Sequence, residues 1–291
     1  MSLGLNLGTN IPFEVLEGNF LNNLKDYYRF PAKYYLEPFQ IFGNLYYVGD
    51  KKVCSHLIDT GDGLILFDSG YAHTTHLLLH SIRTLGFDPA DIKMVIHSHG
   101  HFDHFGAGHK LKDLYGCELL LSKVDADRLR SNPETALMEY SSEPWGPILQ
   151  PDRLIEDGDV ITLGSTSIRC ISAPGHTEGT MAFFFEATDG AQIKQVGYIG
   201  GIGFLTLYKA YLEKYHLPAD MQEQMLDTVK KLRSESADIT LGNHPNHNGT
   251  IEKRQYMIDH PGENPFCDAT VWTELLDAID TRMMDFQARG Y

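Results

Sequence analysis

The chain has no Cys-x-x-Cys pair, no excess of basic charge, no apolar run of membrane length, no phosphate-binding loop and no Gly-x-Ser-x-Gly elbow. Each absence removes a class of protein. The four cysteines, Cys54, Cys117, Cys170 and Cys267, lie far apart, and three fall in or beside expected strands, where free thiols pack as small apolar groups. A disulfide framework is therefore not expected. Acidic residues outnumber basic ones, 39 Asp+Glu against 24 Lys+Arg, for a formal net charge of −15. That balance argues against nucleic acid or an anionic membrane as partner and leaves a small-molecule substrate. Apolar stretches such as Leu64–Phe67 and Leu119–Leu121 fall far short of the roughly 20 residues a bilayer demands. The opening Met1-Ser2-Leu3-Gly4 lacks the basic and apolar regions of a secretory leader. A cytoplasmic location is the expectation for the sequence as it stands, a periplasmic or secreted one if a leader was trimmed from it. Gly200-Gly201-Ile202-Gly203 has the wrong glycine spacing for a dinucleotide loop, and no linker rich in Pro, Gly or Ser divides the chain. One domain over residues 1–291 is expected, of unspecified oligomeric state.

What is present is enough apolar material, 42% of 291 residues, for a substantial core. Short apolar strands alternate with amphipathic helices. Leu16, Phe20, Leu21, Leu24 and Tyr28 recur at helical spacing, ahead of strands around Ile41–Val48 and Ser55–Ile58. The turn Gly61-Asp62-Gly63 leads into Leu64–Phe67, read as a buried strand ending at Asp68-Ser69-Gly70. A helix over Ala72–Leu85 stops at Gly86, and the strand Ile92–Ile96 runs into a histidine-rich loop. Ala107, Leu111, Leu114 and Tyr115 predict a following helix closed by Gly116. The second half repeats this logic, with strands near Asp159–Leu163, Ser167–Ser172, Met181–Glu186, Ile193–Tyr198 and Asp238–Leu241. Helices are expected near Ala219–Leu232 and Ala269–Phe286.

The densest chemical signal is His97-Ser98-His99-Gly100-His101-Phe102-Asp103-His104. It follows a strand directly, the position where α/β folds assemble their sites. Alternate side chains of an extended segment point the same way, so His99 and His101 can face one ion while Asp103 and His104 turn toward a neighbouring position. Imidazole and carboxylate are the ligands expected of zinc. Two further histidines occupy matching contexts, His176 in Pro174-Gly175-His176-Thr177 and His244 in Gly242-Asn243-His244-Pro245, each just after an expected strand.

In this order the motifs resemble those of the metallo-β-lactamase superfamily, over nearly the whole chain from about Asn44 onward. The resemblance implies an α/β fold of αββα four-layer type, with two mixed sheets face to face and helices outside. It implies two zinc ions, or other divalent metals: His99, His101 and His176 around the first, Asp103, His104 and His244 around the second. Asp68 matches a motif whose aspartate supports the site from behind. Many relatives bridge their metals with an aspartate after the strand that here ends at Tyr198-Ile199, where this chain reads Gly200. The absent carboxylate, the all-histidine first site, His244-Pro245 and Asn264-Pro265-Phe266 resemble the third subclass of metallo-β-lactamases. The cysteine-ligand subclass and the flavodiiron oxygen reductases do not fit.

The expected activity is that of a dizinc hydrolase using a metal-bound hydroxide, with Asp103 as the catalytic group that orients the nucleophile and passes its proton on. A β-lactamase or related amidohydrolase opening a cyclic amide leads. A hydrolase of another ester, lactone, thioester or phosphodiester is the alternative, followed by an iron-loaded redox protein or a non-catalytic metal binder. Lesser expectations concern other residues. His97 packs behind the cluster, His73, His76 and His80 lie on a solvated helix face, and His247 stands near enough to His244 to touch substrate. Thr206, Tyr208 and Lys209 are candidates for a substrate carboxylate. The aromatic stretch Glu134–Pro151 is either a flap or a packed surface loop.

Overall fold

Continuous apolar runs such as Leu64–Phe67 have no polar face, so a strand made from them must be covered on both sides. The computed structural model, which describes residues 3–291, shows how. Leu64 and Leu66 pack toward helices, whereas Ile65 and Phe67 point into a second core between two sheets. The same alternation sends Leu119 and Leu121 outward and Leu120 inward, and Phe184 outward with Phe183 and Phe185 inward. Two sheets with an apolar layer between them and helices on their outer faces follow from this pattern.

The first sheet has seven strands in chain order: β1 (Phe39–Phe42), β2 (Leu45–Tyr47), β3 (His56–Asp59), β4 (Leu64–Phe67), β5 (Ile92–Ile96), β6 (Glu118–Ser122) and β7 (Arg153–Ile155). Its first four strands run antiparallel and β4 to β7 run parallel. The second sheet contains β8 (Val160–Leu163), β9 (Thr166–Ser172), β10 (Met181–Thr188), β11 (Ile193–Ile199) and β12 (Ile239–Leu241), ordered β12-β11-β10-β9-β8 with only β11 and β12 parallel. Both sheets are mixed, as the αββα expectation required. The helices are α1 (Phe13–Arg29), α2 (Thr75–Thr84), α3 (Phe102–Phe105), α4 (Gly108–Tyr115), α5 (Lys123–Ser131), α6 (Lys209–Lys214), α7 (Met221–Leu232), α8 (Thr250–Asp259) and α9 (Thr270–Ala288). Trp272, Leu275, Ile279 and Met283 form the buried face of α9. Among the described residues no helix is long and apolar enough to cross a membrane, and all four cysteines are free.

Several local expectations need correction. The segment Ile41–Val48 is a hairpin, because Gly43 takes φ +52° and a Cβ there would meet the Thr188 carbonyl oxygen. Leu114 is 61% exposed, since the short α4 turns only its Leu111 side to the core. Gly116 does close that helix, at φ +73°. His73 is not on a solvated face: α1 lies over the start of α2, and the His73 ring packs against Tyr27 and Tyr28 at 4.5 and 4.8 Å. Strand β7, three residues long, is too short to show a period.

His56 points between the sheets, fully buried, with neither ring nitrogen hydrogen-bonded. Burial pushes its pKa down to about 4 from an ordinary 6.5. Because the unfolded chain binds this proton more readily, its contribution to stability is present above about pH 6.5 and is lost as the pH falls toward 4. Urea midpoints should therefore drop between about pH 7 and about pH 5. His56→Leu should flatten that slope by up to about 1.4 kcal/mol per pH unit. An identical slope in the variant would show that this ring is not the titrating group.

Candidate metal centre

Strand β5 ends at Ile96, and the next residues cross beneath the ends of both sheets. His97 faces inward, its Nδ1 donating to the Leu120 carbonyl at 3.0 Å, so it packs behind the loop as expected. His99 turns the other way. Its Nδ1 donates to the Gly200 carbonyl at 2.9 Å, which leaves Nε2 as a bare lone pair. His176, on the turn after β9, donates from Nδ1 to the Gly203 carbonyl at 2.9 Å and likewise presents a bare Nε2. His101 places Nδ1 between them, 3.0 Å from His99 Nε2 and 3.1 Å from His176 Nε2. Burial holds His99 and His101 well below the ordinary histidine pKa and His176 down to about 4, with the neighbouring imidazoles adding to the effect. The rings are therefore neutral at pH 7, as metal ligation demands. Nitrogens about 2.0–2.1 Å from one tetrahedral zinc lie about 3.3 Å from each other, close to the spacing found.

The short helix α3 then sets Asp103 and His104 on its first turn. His104 Nδ1 donates to Asp68 at 2.9 Å, and its buried Nε2 has no hydrogen-bond partner; burial alone would lower its pKa, but Asp103 and Asp68 outweigh that and raise it. That nitrogen is 3.4 Å from Asp103 Oδ2. His244, on the turn after β12, donates from Nδ1 to the Lys52 carbonyl at 2.7 Å and points Nε2 at the same oxygen, 3.6 Å away. Two imidazole nitrogens and a carboxylate oxygen thus converge, an arrangement that a cation between them stabilises. All six side chains singled out in the sequence meet in one pocket. The ligand atoms of His99, His101 and His176 lie within 4.8 Å of one another, as do those of His99, Asp103 and His104.

Asp68 anchors this second cluster. It sits at φ +53°, a conformation rare for residues with a side chain, and is fully buried. It accepts from Ser98 N and Oγ, Tyr198 Oη and His104 Nδ1 at 2.6–2.9 Å. Burial alone would raise its pKa, but His104 and the hydrogen bonds outweigh that and hold it below the usual carboxylate value.

The glycines at 200–203 work through their backbone. Gly200 O accepts from both His99 and Asn243, the latter at 2.7 Å, and a Cβ at Gly200 would lie 2.6 Å from the Met181 carbonyl oxygen. No carboxylate fits there. Sequence reasoning noted the missing aspartate but not these carbonyls, nor Asn243, nor the Lys52 carbonyl, because backbone acceptors leave no signature in side-chain identity. Thr206 Oγ1 stands 3.1 Å from His176 Nδ1, which makes it a support for that ring. Two neighbours are placed otherwise than expected. Tyr208 donates to the Ile11 carbonyl, and Lys209 Nζ reaches the Gly290 carbonyl at 3.3 Å, so both point toward the ends of the chain. His247 is buried beside His244, ring centroids 5.3 Å apart, with Nδ1 on Asn243 Oδ1. The Glu134–Pro151 stretch is tied down at Tyr140, whose hydroxyl donates to Glu17 at 2.8 Å, while Trp145 is 83% exposed at its tip.

Comparison with known proteins adds four findings. The family model for the metallo-beta-lactamase superfamily matches residues 48–190. The structure resembles that of BJP-1, a subclass B3 metallo-beta-lactamase of Bradyrhizobium japonicum, with TM-score 0.70 and 27% identity over 88% of this chain and 97% of that one. The fold is also that of the metallo-beta-lactamase GOB-18 from Elizabethkingia meningoseptica, with TM-score 0.76 and 24% identity over 98% of both chains. By sequence, the chain is 29% identical over 152 residues to the hydroxyacylglutathione hydrolase GloC of Haemophilus influenzae, covering 52% of this chain and 68% of that one. Across the first curated relatives the chain spans 48–68% of their length.

Proposed function

The chain belongs to the metallo-beta-lactamase superfamily, and from that premise we propose that it is a dizinc hydrolase that opens a cyclic amide, a β-lactamase or a close relative of one. The observation that carries this reading is the pair of converging donor sets. Three neutral imidazoles meet at 3.0–3.1 Å, and beside them Asp103 faces the inward nitrogens of His104 and His244. His99, His101 and His176 would hold the first ion, and Asp103, His104 and His244 the second. Divalent ions bound there supply Lewis acidity, activating water and polarising a carbonyl.

The chain's own residues supply the rest. Asp103 Oδ2 lies at the junction of the two donor sets, where it can orient an attacking water and take up its proton. The carbonyls of Gly200, Gly203 and Lys52 fix the imidazoles of His99, His176 and His244 in the tautomer that leaves the inward nitrogen free. Asp68 does the same for His104. Buried loops and the two-sheet core below them hold the donors without needing to close around a ligand.

The absence of a bridging carboxylate and the likeness to the subclass B3 enzyme support a lactam substrate. The similarity to the Haemophilus hydroxyacylglutathione hydrolase favours a second reading, cleavage of a thioester or another ester. Metal analysis of purified protein together with a substrate panel separates them. The expected result is two zinc ions per chain and hydrolysis of a chromogenic cephalosporin in preference to lactone, thioester and phosphodiester substrates. Cleavage of the thioester or phosphodiester alone would remove the lactam assignment. Stoichiometric iron with oxygen consumption would remove the hydrolase assignment too.

A further inference from the structure

Among the described residues, one buried carboxylate near the first donor set has no cationic partner. Asp125 lies in the first turn of α5, 2% exposed, with its backbone N–H held at 3.2 Å by the capping hydroxyl of Ser122. Its Oδ2 accepts from the backbone N–H of Gly100 at 2.7 Å and from the hydroxyl of Thr177 at 2.8 Å, and its Oδ1 accepts from the N–H of Gly179 at 2.9 Å. Arg128, one turn on, pairs with Glu178 instead. Gly100 separates His99 from His101, while Thr177 and Gly179 follow His176. A single side chain therefore joins two loops that are 75 residues apart at His101 and His176.

The sequence leaves room for that contact. A Cβ at Gly179 would fall 2.4 Å from Asp125 N and 2.6 Å from its Cγ, and one at Gly100 would press on Asp125 Cβ at 3.3 Å. Both glycines allow the approach. Burying a carboxylate is costly, and three good hydrogen bonds from neutral donors are what offset it here.

We infer that Asp125 is a positioning residue for the first metal site, holding His101 and His176 at ligand spacing by bridging their loops through Gly100, Thr177 and Gly179. This rests on the metal reading above. The reason a carboxylate is required lies in acceptor count: Asp125 accepts on both oxygens, whereas asparagine would turn an N–H₂ toward at least one of the donors. The amide would then face the Gly179 N–H if its oxygen kept Gly100 and Thr177, or the Gly100 N–H if its oxygen kept Gly179, so the three-bond bridge is broken in either orientation.

The test is zinc binding by the full chain, titrated against a chromophoric chelator, together with the absorption spectrum of the cobalt(II) form. Asp125→Asn is expected to weaken the tighter-defined three-histidine site by about 10- to 100-fold and leave the Asp103-His104-His244 site within about threefold. It should also change the cobalt spectrum and lower kcat with little effect on KM. Thr177→Val should weaken the site less, and Thr177→Ser, which keeps the hydroxyl, should restore it; this pair serves should the Asp125 variant fail to fold. Unaltered first-site affinity and spectrum in Asp125→Asn, or equal loss with Thr177→Ser and Thr177→Val, would overturn the inference. A wild-type chain that binds no zinc would instead overturn the metal reading, so the two failures are distinct.

Discussion

Replacing Asp103 by alanine is expected to lower kcat/KM for the cleaved substrate by about 10³-fold, with little change in the thermal midpoint of the metal-free form. The side chain is 11% exposed, at the edge of the pocket, so its loss leaves no large apolar void. Its carboxylate Oδ2 lies 3.4 Å from the inward nitrogen of His104 and 3.6 Å from that of His244. Removing it withdraws a ligand from the second donor set and the proton acceptor from the junction of the two sets. Asp103→Asn separates these roles, because the amide keeps the shape and one oxygen but cannot accept a proton. It should retain more metal than the alanine variant and yet remain within about tenfold of its low turnover. His101→Ala should be as severe by another route, since it removes the middle nitrogen of the first donor set. Steady-state kinetics with metal content measured on the same samples decides the matter. Undiminished turnover in either Asp103 variant would refute the role given to this residue.

Stripping the protein of metal with a chelator should abolish activity and reduce stability without unfolding the chain. The inward nitrogens of His99 and His176 each lie 3.0–3.1 Å from His101 Nδ1, and Asp103 Oδ2 lies 3.4–3.6 Å from those of His104 and His244. A cation held there stabilises the folded form only, by about 4 kcal/mol when free zinc exceeds its dissociation constant a thousandfold, which corresponds to a melting temperature roughly 10 °C higher. The fold should survive removal, because the layer of Phe67, Phe183, Phe185 and Tyr198 between the sheets does not depend on the site. Far-ultraviolet circular dichroism should stay unchanged while the melting curve shifts, and two equivalents of zinc should restore both stability and activity. A melting temperature indifferent to chelation and to added zinc would count against a metal centre.

Much of the architecture was legible in advance because burial on two faces forces runs such as Leu64–Phe67, which became a strand; Leu119–Leu121, noted only as a short apolar run, became one as well. Three-residue strands such as β7 carry no such pattern, and the Gly43 turn was hidden within apolar neighbours. His73 was misread because helical spacing locates a face but not what lies on it; here α1 covers it. Lys209 was misread for a related reason. Its charge suited an anionic substrate, but its Nζ reaches the Gly290 carbonyl.

The sequence by itself determined the local chemistry: a run of histidines and one aspartate on a strand-end loop, lone histidines after two later strands, and glycine where a bridging carboxylate might have stood. Spacing within a few residues is dictated by backbone geometry, so such signals need no fold to be read. Only the tertiary structure decided which nitrogen of each ring faces inward, because that depends on carbonyls of Gly200, Gly203 and Lys52 contributed by distant loops. It alone brought His176 and His244 to the cluster and placed Asp125 between two of its loops. Those contacts are made across the ends of two sheets, and no interaction local in the chain specifies them.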